Sequence, residues 1–365
     1  MEIIKEMLSR GHEQVSTFCD SETGLKGIVA IHNTVLGPAL GGCRMWNYAS
    51  EDEAMLDVLR LSRAMTYKAA IAGLNLGGGK AVIIGDSKKD KSEGLFRSFG
   101  RFVEGLGGRY ITAEDVGTSL KDMEHVRVET RYVTGISQTL GGSGDPAPVT
   151  AYGVFMGIKA CVKEKMSSNS IDGIKVAIQG LGNVGMYLAE NLHKSGAQLF
   201  VTDIDSSRVD LAVKKFNATP VGLEDIYGLE VDVFSPTALG SVINDETIPK
   251  LRCSIVAGGA NNVLMDTSHG MELMKRNILY APDYAINAGG LINVSNELEG
   301  YNKEKAFNQA EGIYDTLLEI FKTSKEKKSP TNQICNKLAE RRIKKVGTLK
   351  SFYLPYKKTF KIRNS

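Results

Sequence analysis

Lys175-Val176-Ala177-Ile178-Gln179, running into Gly180-Leu181-Gly182-Asn183-Val184-Gly185, is the stretch that decides the fold. The first five residues read as a short strand with an apolar centre, and residues 183–194 read as a helix. The three glycines fall on the turn between them. Alone, a GxGxxG run says little, because glycine is common. Between a strand and a helix each glycine has a task. Gly180 permits the tight turn, Gly182 lets backbone approach a pyrophosphate, and Gly185 lets the helix pack closely on the strand. The helix start then offers free N–H groups and the positive end of its dipole to phosphate.

The residues that follow keep the same rhythm. Apolar runs at 199–202, 231–234, 254–257 and 278–280 alternate with helical segments, which predicts a doubly wound parallel sheet of Rossmann type. Asp203 ends the first of these runs, 18 residues past Gly185. A carboxylate there accepts hydrogen bonds from ribose hydroxyls and repels a 2′-phosphate, so NAD is expected rather than NADP. Asn261-Asn262 and Asn287 follow later strands. Asparagines at such strand ends either fix a carboxamide or a substrate carboxylate, or serve as turn and capping residues.

The first third mixes strands and helices. Residues 27–32 read as a strand ending at Gly37-Pro38. Ser50 with Glu53 reads as a capping box before a helix through about residue 64, with Leu56, Leu59 and Met65 on its apolar face. Residues 81–84 form a short apolar strand. Leu95, Phe99, Phe102, Val103 and Leu106 recur at helical spacing, residues 110–112 form another strand, and Ser119 with Asp122 opens a further helix. Gly141-Gly142-Ser143-Gly144-Asp145-Pro146 marks a sharp change of composition and reads either as a hinge or linker or as an ordinary surface loop, with Pro148 suited to the first turn of a helix through about residue 166.

Two lysines lie in glycine-rich surroundings, Lys68 in Met65-Thr66-Tyr67-Lys68 and Lys80 closing Gly77-Gly78-Gly79-Lys80. Placement by tight backbone turns is expected for both. A lysine acting as a base must be partly neutral near pH 7, and burial and a second cation both favour that. One of the pair is suited to hold a carboxylate and the other to deprotonate a water. Asp115, in Ala113-Glu114-Asp115-Val116-Gly117, is placed to shuttle protons to a substrate nitrogen or to cap a helix.

Bulk properties narrow the classes. A chain of 365 residues is long for one core, so two domains are expected: 1–145, with 331–365 packing back on it, and 146–330. Net charge is +3, which argues against a general grip on nucleic acid or acidic membrane; the locally basic stretch 341–363 reads as a solvated terminal helix and tail. The 5 cysteines and 5 histidines show no metal-ligand or disulfide spacing. No apolar run is long enough to span a bilayer and the N-terminus does not read as a secretion signal, so a cytoplasmic protein is the default.

Gly37-Pro38-Ala39-Leu40-Gly41-Gly42-Cys43-Arg44-Met45, Met65-Thr66-Tyr67-Lys68, the glycine run closed by Lys80, Thr112-Ala113-Glu114-Asp115-Val116-Gly117, Ala260-Asn261-Asn262 and residues 281–290 together resemble the Glu/Leu/Phe/Val amino acid dehydrogenase family, most of all its leucine-specific branch. The resemblance implies two α/β domains with a cleft between them, a substrate and oligomerisation domain followed by an NAD-binding one. It implies reversible oxidative deamination of an L-amino acid to the 2-oxo acid with release of ammonia. It places Lys68 on the substrate carboxylate, Lys80 on the hydrolytic water and Asp115 on the amino group. It gives Thr150 and Asn261 to the nicotinamide carboxamide, and Gly41 and Asn262 to the substrate. Leu40, Ala113, Leu291 and Val294 line the side-chain pocket; all are apolar, which disfavours a glutamate substrate. Leucine, valine and isoleucine are the expected substrates, aromatic amino acids the alternative within the family, and a catalytically silent NAD-binding regulator the alternative outside it. The family also implies a homo-oligomer, commonly an octamer in the leucine branch. Departures are Thr237 where cysteine is usual, Leu291 in place of valine, the extra Gly259, Val263 in place of glutamine, and an aromatic tail at 351–356 that is a candidate oligomer contact.

Overall fold

The computed structural model describes residues 2–349, so the aromatic tail lies outside the described residues. The chain divides into two compact units. Unit 1 runs to Asp145 and adds Val294–Lys303 and the described chain from Ala339; unit 2 is Pro146–Asn293 with Glu304–Leu338.

In unit 1 the order is α1 (Ile3–Arg10), β1 (Gln14–Asp20), β2 (Leu25–Asn33), β3 (Ala39–Trp46), α2 (Glu51–Ile71), β4 (Gly77–Ile84), α3 (Glu93–Gly105), β5 (Tyr110–Glu114) and α4 (Leu120–Glu129). The sheet order is β1-β2-β4-β3-β5. The β1/β2 and β2/β4 pairs are antiparallel, β3/β4 and β3/β5 parallel. Side chains alternate across a strand. Cys43, Met45, Ala81 and Ile83 therefore pack with Phe96 and Phe99 of α3, while Val82, Ile28 and Ala30 pack with Val58 and Leu59 of α2. By the same alternation Lys80 and Arg44 look towards α2.

The structure corrects several expectations here. The capping box is half formed: Ser50 Oγ accepts from Glu53 N–H, but the Glu53 carboxylate reaches Ala49 N–H, one residue too early. The helix also continues past residue 64 to Ile71, because nothing breaks it before Gly73, whose φ is +74°. Its buried stripe is Met55, Val58, Leu59, Ser62, Thr66 and Ala69, and Leu56 is 45% exposed rather than on the apolar face. Lys68 thus lies in the last helical turn, and Lys80 inside a strand that starts four residues before residue 81. Neither is placed by a loop.

Unit 2 contains α5 (Ala147–Met166), β6 (Lys175–Gln179), α6 (Asn183–Lys194), β7 (Gln198–Thr202), α7 (Ser206–Phe216), β8 (Thr219–Pro220), β9 (Val233–Pro236), β10 (Ile255–Val256), α8 (His269–Lys275), β11 (Leu279–Tyr280), α9 (Asp283–Ile286), α10 (Gly289–Ser295, its end in unit 1), α11 (Lys303–Glu311), α12 (Ile313–Lys327) and α13 (Thr331–Gly347, passing into unit 1). The sheet order is β11-β10-β9-β6-β7-β8, all parallel. Counted from β6 it reads 3-2-1-4-5-6, the doubly wound order of dinucleotide-binding folds. β9 begins two residues later than the apolar run suggests, since Val231 is still in a turn closed by its N–H to Leu229 O.

Candidate active site

Glycines make room for the charged site of unit 1. A Cβ on Gly78 would stand 2.0 Å from Thr66 N, and one on Gly41 would stand 1.8 Å from Gly79 O. Only glycine lets β3, β4 and the end of α2 approach this closely. The result is that Lys80, 5% exposed, sits under α2. Its Nζ contacts the Asp115 carboxylate. Burial pushes the Lys80 ammonium down to about 7, and the Arg44 and Lys68 cations push the same way; Cys43 and Asp57 oppose them. The touching Asp115 carboxylate also favours the charged form.

Asp115 follows β5 and is held in a turn pinned to the end of β3. Its N–H donates to Thr118 Oγ1, and that hydroxyl donates to Cys43 O at 2.8 Å. Met45 N–H donates to Val116 O. Gly117, φ +80°, is wedged against Met45 O, where a Cβ would stand at 1.9 Å. Tyr110 OH donates to Gly41 O at 2.6 Å and fixes the strand beside the site. Leu40 and Ala113, 2% and 6% exposed, lie on β3 and β5, and Val294, 9% exposed, belongs to the same unit.

Unit 2 carries the glycine turn. Gly180 has φ +100°, and a Cβ on it would strike Ala238 at 2.5 Å. Thr237, at the position where cysteine is usual, donates its hydroxyl to Gly180 O at 2.6 Å and ties the turn to β9. This is the switch point between β6 and β9, where such sheets bind ligands. Gly185 packs on Gly180 O, 2.1 Å from where its Cβ would be, while Gly182 has nothing nearer than Arg208 at 4.0 Å. The start of α6 has no side-chain cap. An open turn, free first-turn N–H groups and an acid at the next strand end fit a dinucleotide. That acid, Asp203, accepts from Leu181 N–H at 2.6 Å and from Asp205 N–H at 2.9 Å, so it also shapes the turn. Leu181 is buried, and Asn183 and Val184 open α6.

The remaining residues of this set also lie in unit 2. Thr150, in the first turn of α5, donates to Pro146 O and packs against Gly289 and Gly290. Asn261 Oδ1 accepts from Asn287 Nδ2 at 2.7 Å. Asn262 is left-handed, φ 51°, which is its turn role. Leu291 is 6% exposed. Asn287 is one of the strand-end asparagines of the sequence; the residue whose role escapes a sequence reading is Arg44. Asn287, 3% exposed, also donates to the Gly259 and Ala260 carbonyls and so organises the Asn261 loop. Arg44 sits beside Asp115; its signal is the pair Gly42 and Arg44, two apart on a strand and so on one face. Among the described residues no cluster of three or more His, Cys, Asp or Glu could hold a metal, and no helix is long and apolar enough to cross a membrane.

Residues 12–132 match the family model described as Glu/Leu/Phe/Val dehydrogenase, dimerisation domain. Residues 141–209 and 201–346 match Glutamate/Leucine/Phenylalanine/Valine dehydrogenase. The chain is 53% identical over 354 residues to leucine dehydrogenase from Thermoactinomyces intermedius, covering 97% of each chain. It is 48% identical to phenylalanine dehydrogenase from Caldalkalibacillus thermarum, covering 94% of each. The crystal structure of L-tryptophan dehydrogenase from Nostoc punctiforme superposes with a TM-score of 0.85 at 48% identity, covering 94% of this chain and 99% of that one.

Proposed function

Because this chain belongs to the Glu/Leu/Phe/Val dehydrogenase family and is an amino acid dehydrogenase, we propose that it catalyses the reversible, NAD-dependent oxidative deamination of L-leucine, valine and isoleucine to the 2-oxo acid and ammonia. The observation that carries this reading is Lys80, a buried lysine in contact with a carboxylate and holding its proton weakly near neutral pH.

In the proposed reaction the Lys68 ammonium holds the substrate carboxylate, with Gly41 and Asn262 beside the substrate. The glycine turn of residues 180–185 would hold the dinucleotide, with Asp203 on its ribose and Thr150 and Asn261 on its carboxamide, and when bound it would supply the acceptor for the α-carbon hydride. Neutral Lys80 takes a proton from the water that attacks the oxidised α-carbon. Asp115 takes a proton from the substrate ammonium before the hydride leaves and returns it to the carbinolamine nitrogen; the C–N bond then breaks, ammonia departs, and the hydroxyl proton passes to solvent as the 2-oxo group forms. Leu40, Ala113, Leu291 and Val294 offer only apolar surface to the side chain, which suits a branched aliphatic group. Asp203 would repel the extra phosphate of NADP, which supports NAD. Unit 1 is proposed as the substrate and oligomerisation domain and unit 2 as the NAD-binding domain of a cytoplasmic homo-oligomer, an octamer in its specific form.

Aromatic substrates are the second reading, favoured by the similarity to phenylalanine and tryptophan dehydrogenases. Methylene-scale changes in such a pocket move preference by only about 1–3 kcal/mol. NADH formation with leucine, valine, isoleucine, phenylalanine and tryptophan separates the two. The branched aliphatic set should give the highest kcat/KM; a higher value for an aromatic amino acid selects the second reading. Lys80→Ala should abolish turnover and leave NAD binding measurable by calorimetry. Wild-type rates in that variant would exclude the water-activating role.

A further inference from the structure

Four charges alternate in sign beside α2. Asp57 lies on α2, Arg44 on β3, Asp115 after β5 and Lys80 on β4. Arg44 Nη1 donates to Asp57 Oδ2 at 2.9 Å. Its other terminal nitrogen stands 4.0 Å from Asp115 Oδ1, and the second oxygen of Asp115 meets Lys80 Nζ. Asp57 is itself held by Tyr48 OH at 2.7 Å and by Arg60 Nη2 at 3.0 Å. The Arg44 and Asp57 side chains are 22% and 12% exposed, so solvent screens them weakly. The β3/β4 register puts Arg44 opposite Val82, two residues beyond Lys80.

We propose that Arg44 is an electrostatic positioning residue for the reaction, a cation locked on Asp57 that steadies the Asp115 carboxylate against Lys80. The inference rests on the amino acid dehydrogenase mechanism given above. A guanidinium suits the task because its rigid fork spans two carboxylates and it stays charged at every working pH. It also opposes a second positive charge on Lys80. Of the charges around Lys80 that weaken its hold on a proton, Arg44 acts most strongly and Lys68 next; Cys43 and Asp57 pull the other way, and so does the touching Asp115.

The test compares Arg44→Gln, Arg44→Met and Arg44→Lys with the wild type by two readouts. One is the pH profile of kcat/KM for leucine oxidation. The other is the pH midpoint of Lys80 acetylation by acetic anhydride, read by peptide mass spectrometry, which needs no turnover. Loss of the fixed charge in Arg44→Gln and Arg44→Met should move both midpoints up by about half to one pH unit. Arg44→Lys should keep the wild-type midpoint while kcat falls, because the charge stays and the fork is lost. Arg44→Gln, which can still donate to Asp57, carries the test if Arg44→Met does not fold. A wild-type midpoint in the charge-removing variants overturns the inference even where kcat has dropped. A wild-type protein that oxidises no amino acid, with midpoints still shifting between variants, sinks the functional reading and leaves the electrostatic one standing.

Discussion

Lys80 is held where an ammonium is poorly solvated. Moving its proton affinity from 10.5 to about 7 corresponds to roughly 4–5 kcal/mol against the charged form. The consequence for rate has a definite sign. Neutral Lys80 is the reactive form in the oxidative direction, so kcat/KM should climb about tenfold per pH unit below 7 and flatten above it. A profile still rising steeply beyond pH 9 would mean that Lys80 keeps an ordinary lysine's proton and is not the base. In the sequence, the lysine and its glycine run are visible, but not what the glycines do. They read as turn-makers, whereas Gly78 and Gly41 lie in strands and admit backbone contacts that any side chain would block. Nor does numbering reveal the meeting of Lys80 with Asp115. That follows from β3 pairing in parallel with both β4 and β5, which spacing along the chain does not encode.

Among elements, α2 matters most, because Asp57 and Lys68 are both on it and the β4 strand that carries Lys80 leaves from its end. That end is clamped from far along the chain. Arg342 of α13 donates to the carbonyls of Ala70, Leu74 and Gly73, at 3.0, 2.7 and 2.9 Å, and to Asn75 Oδ1 at 3.1 Å. Free carbonyls at a helix end need such partners. Arg342→Met should therefore cost about 1–3 kcal/mol in urea unfolding and raise KM more than it lowers kcat, since Lys68 sits one turn before the clamp. Equal stability and KM in the variant would show that the turn holds itself. Elements whose signals are local are legible in the sequence itself: the strand, glycine turn and helix at residues 175–194, and the helix opened by Ser119 with Asp122, where both arms of the capping box form. β3 is not legible as a strand at all. Its Leu40-Gly41-Gly42 run lacks the alternation that marks a half-buried strand, because it is shaped by a neighbour rather than by its own propensity.

At the scale of the whole molecule, two units with separate cores need not unfold together, so a stability measurement has to say which unit it sees. The chain's one tryptophan, Trp46 of β3, makes fluorescence a probe of unit 1. The same unit buries two histidines packed edge to face, with ring centroids 4.8 Å apart. His32 bonds Thr66 Oγ1 at 2.8 Å through Nδ1 and the Arg10 carbonyl at 3.0 Å through Nε2. Burial, the His12 ring and the Arg63 cation lower its proton affinity to about 4. The unfolded ring titrates near 6.5. Between these values the unfolded chain binds more protons, so stability rises with pH across the window and is lost as pH falls through it. The full effect is about 3 kcal/mol at pH 4. His32→Gln removes the titration and keeps an amide that can bond Thr66. Its Trp46-detected unfolding free energy should depend less steeply on pH between 4 and 6.5 than that of the wild type. Parallel pH curves for the two proteins would show that the His32 ring takes up its proton in the folded state as readily as in the unfolded one, and that acid lability of unit 1 comes from its carboxylates instead.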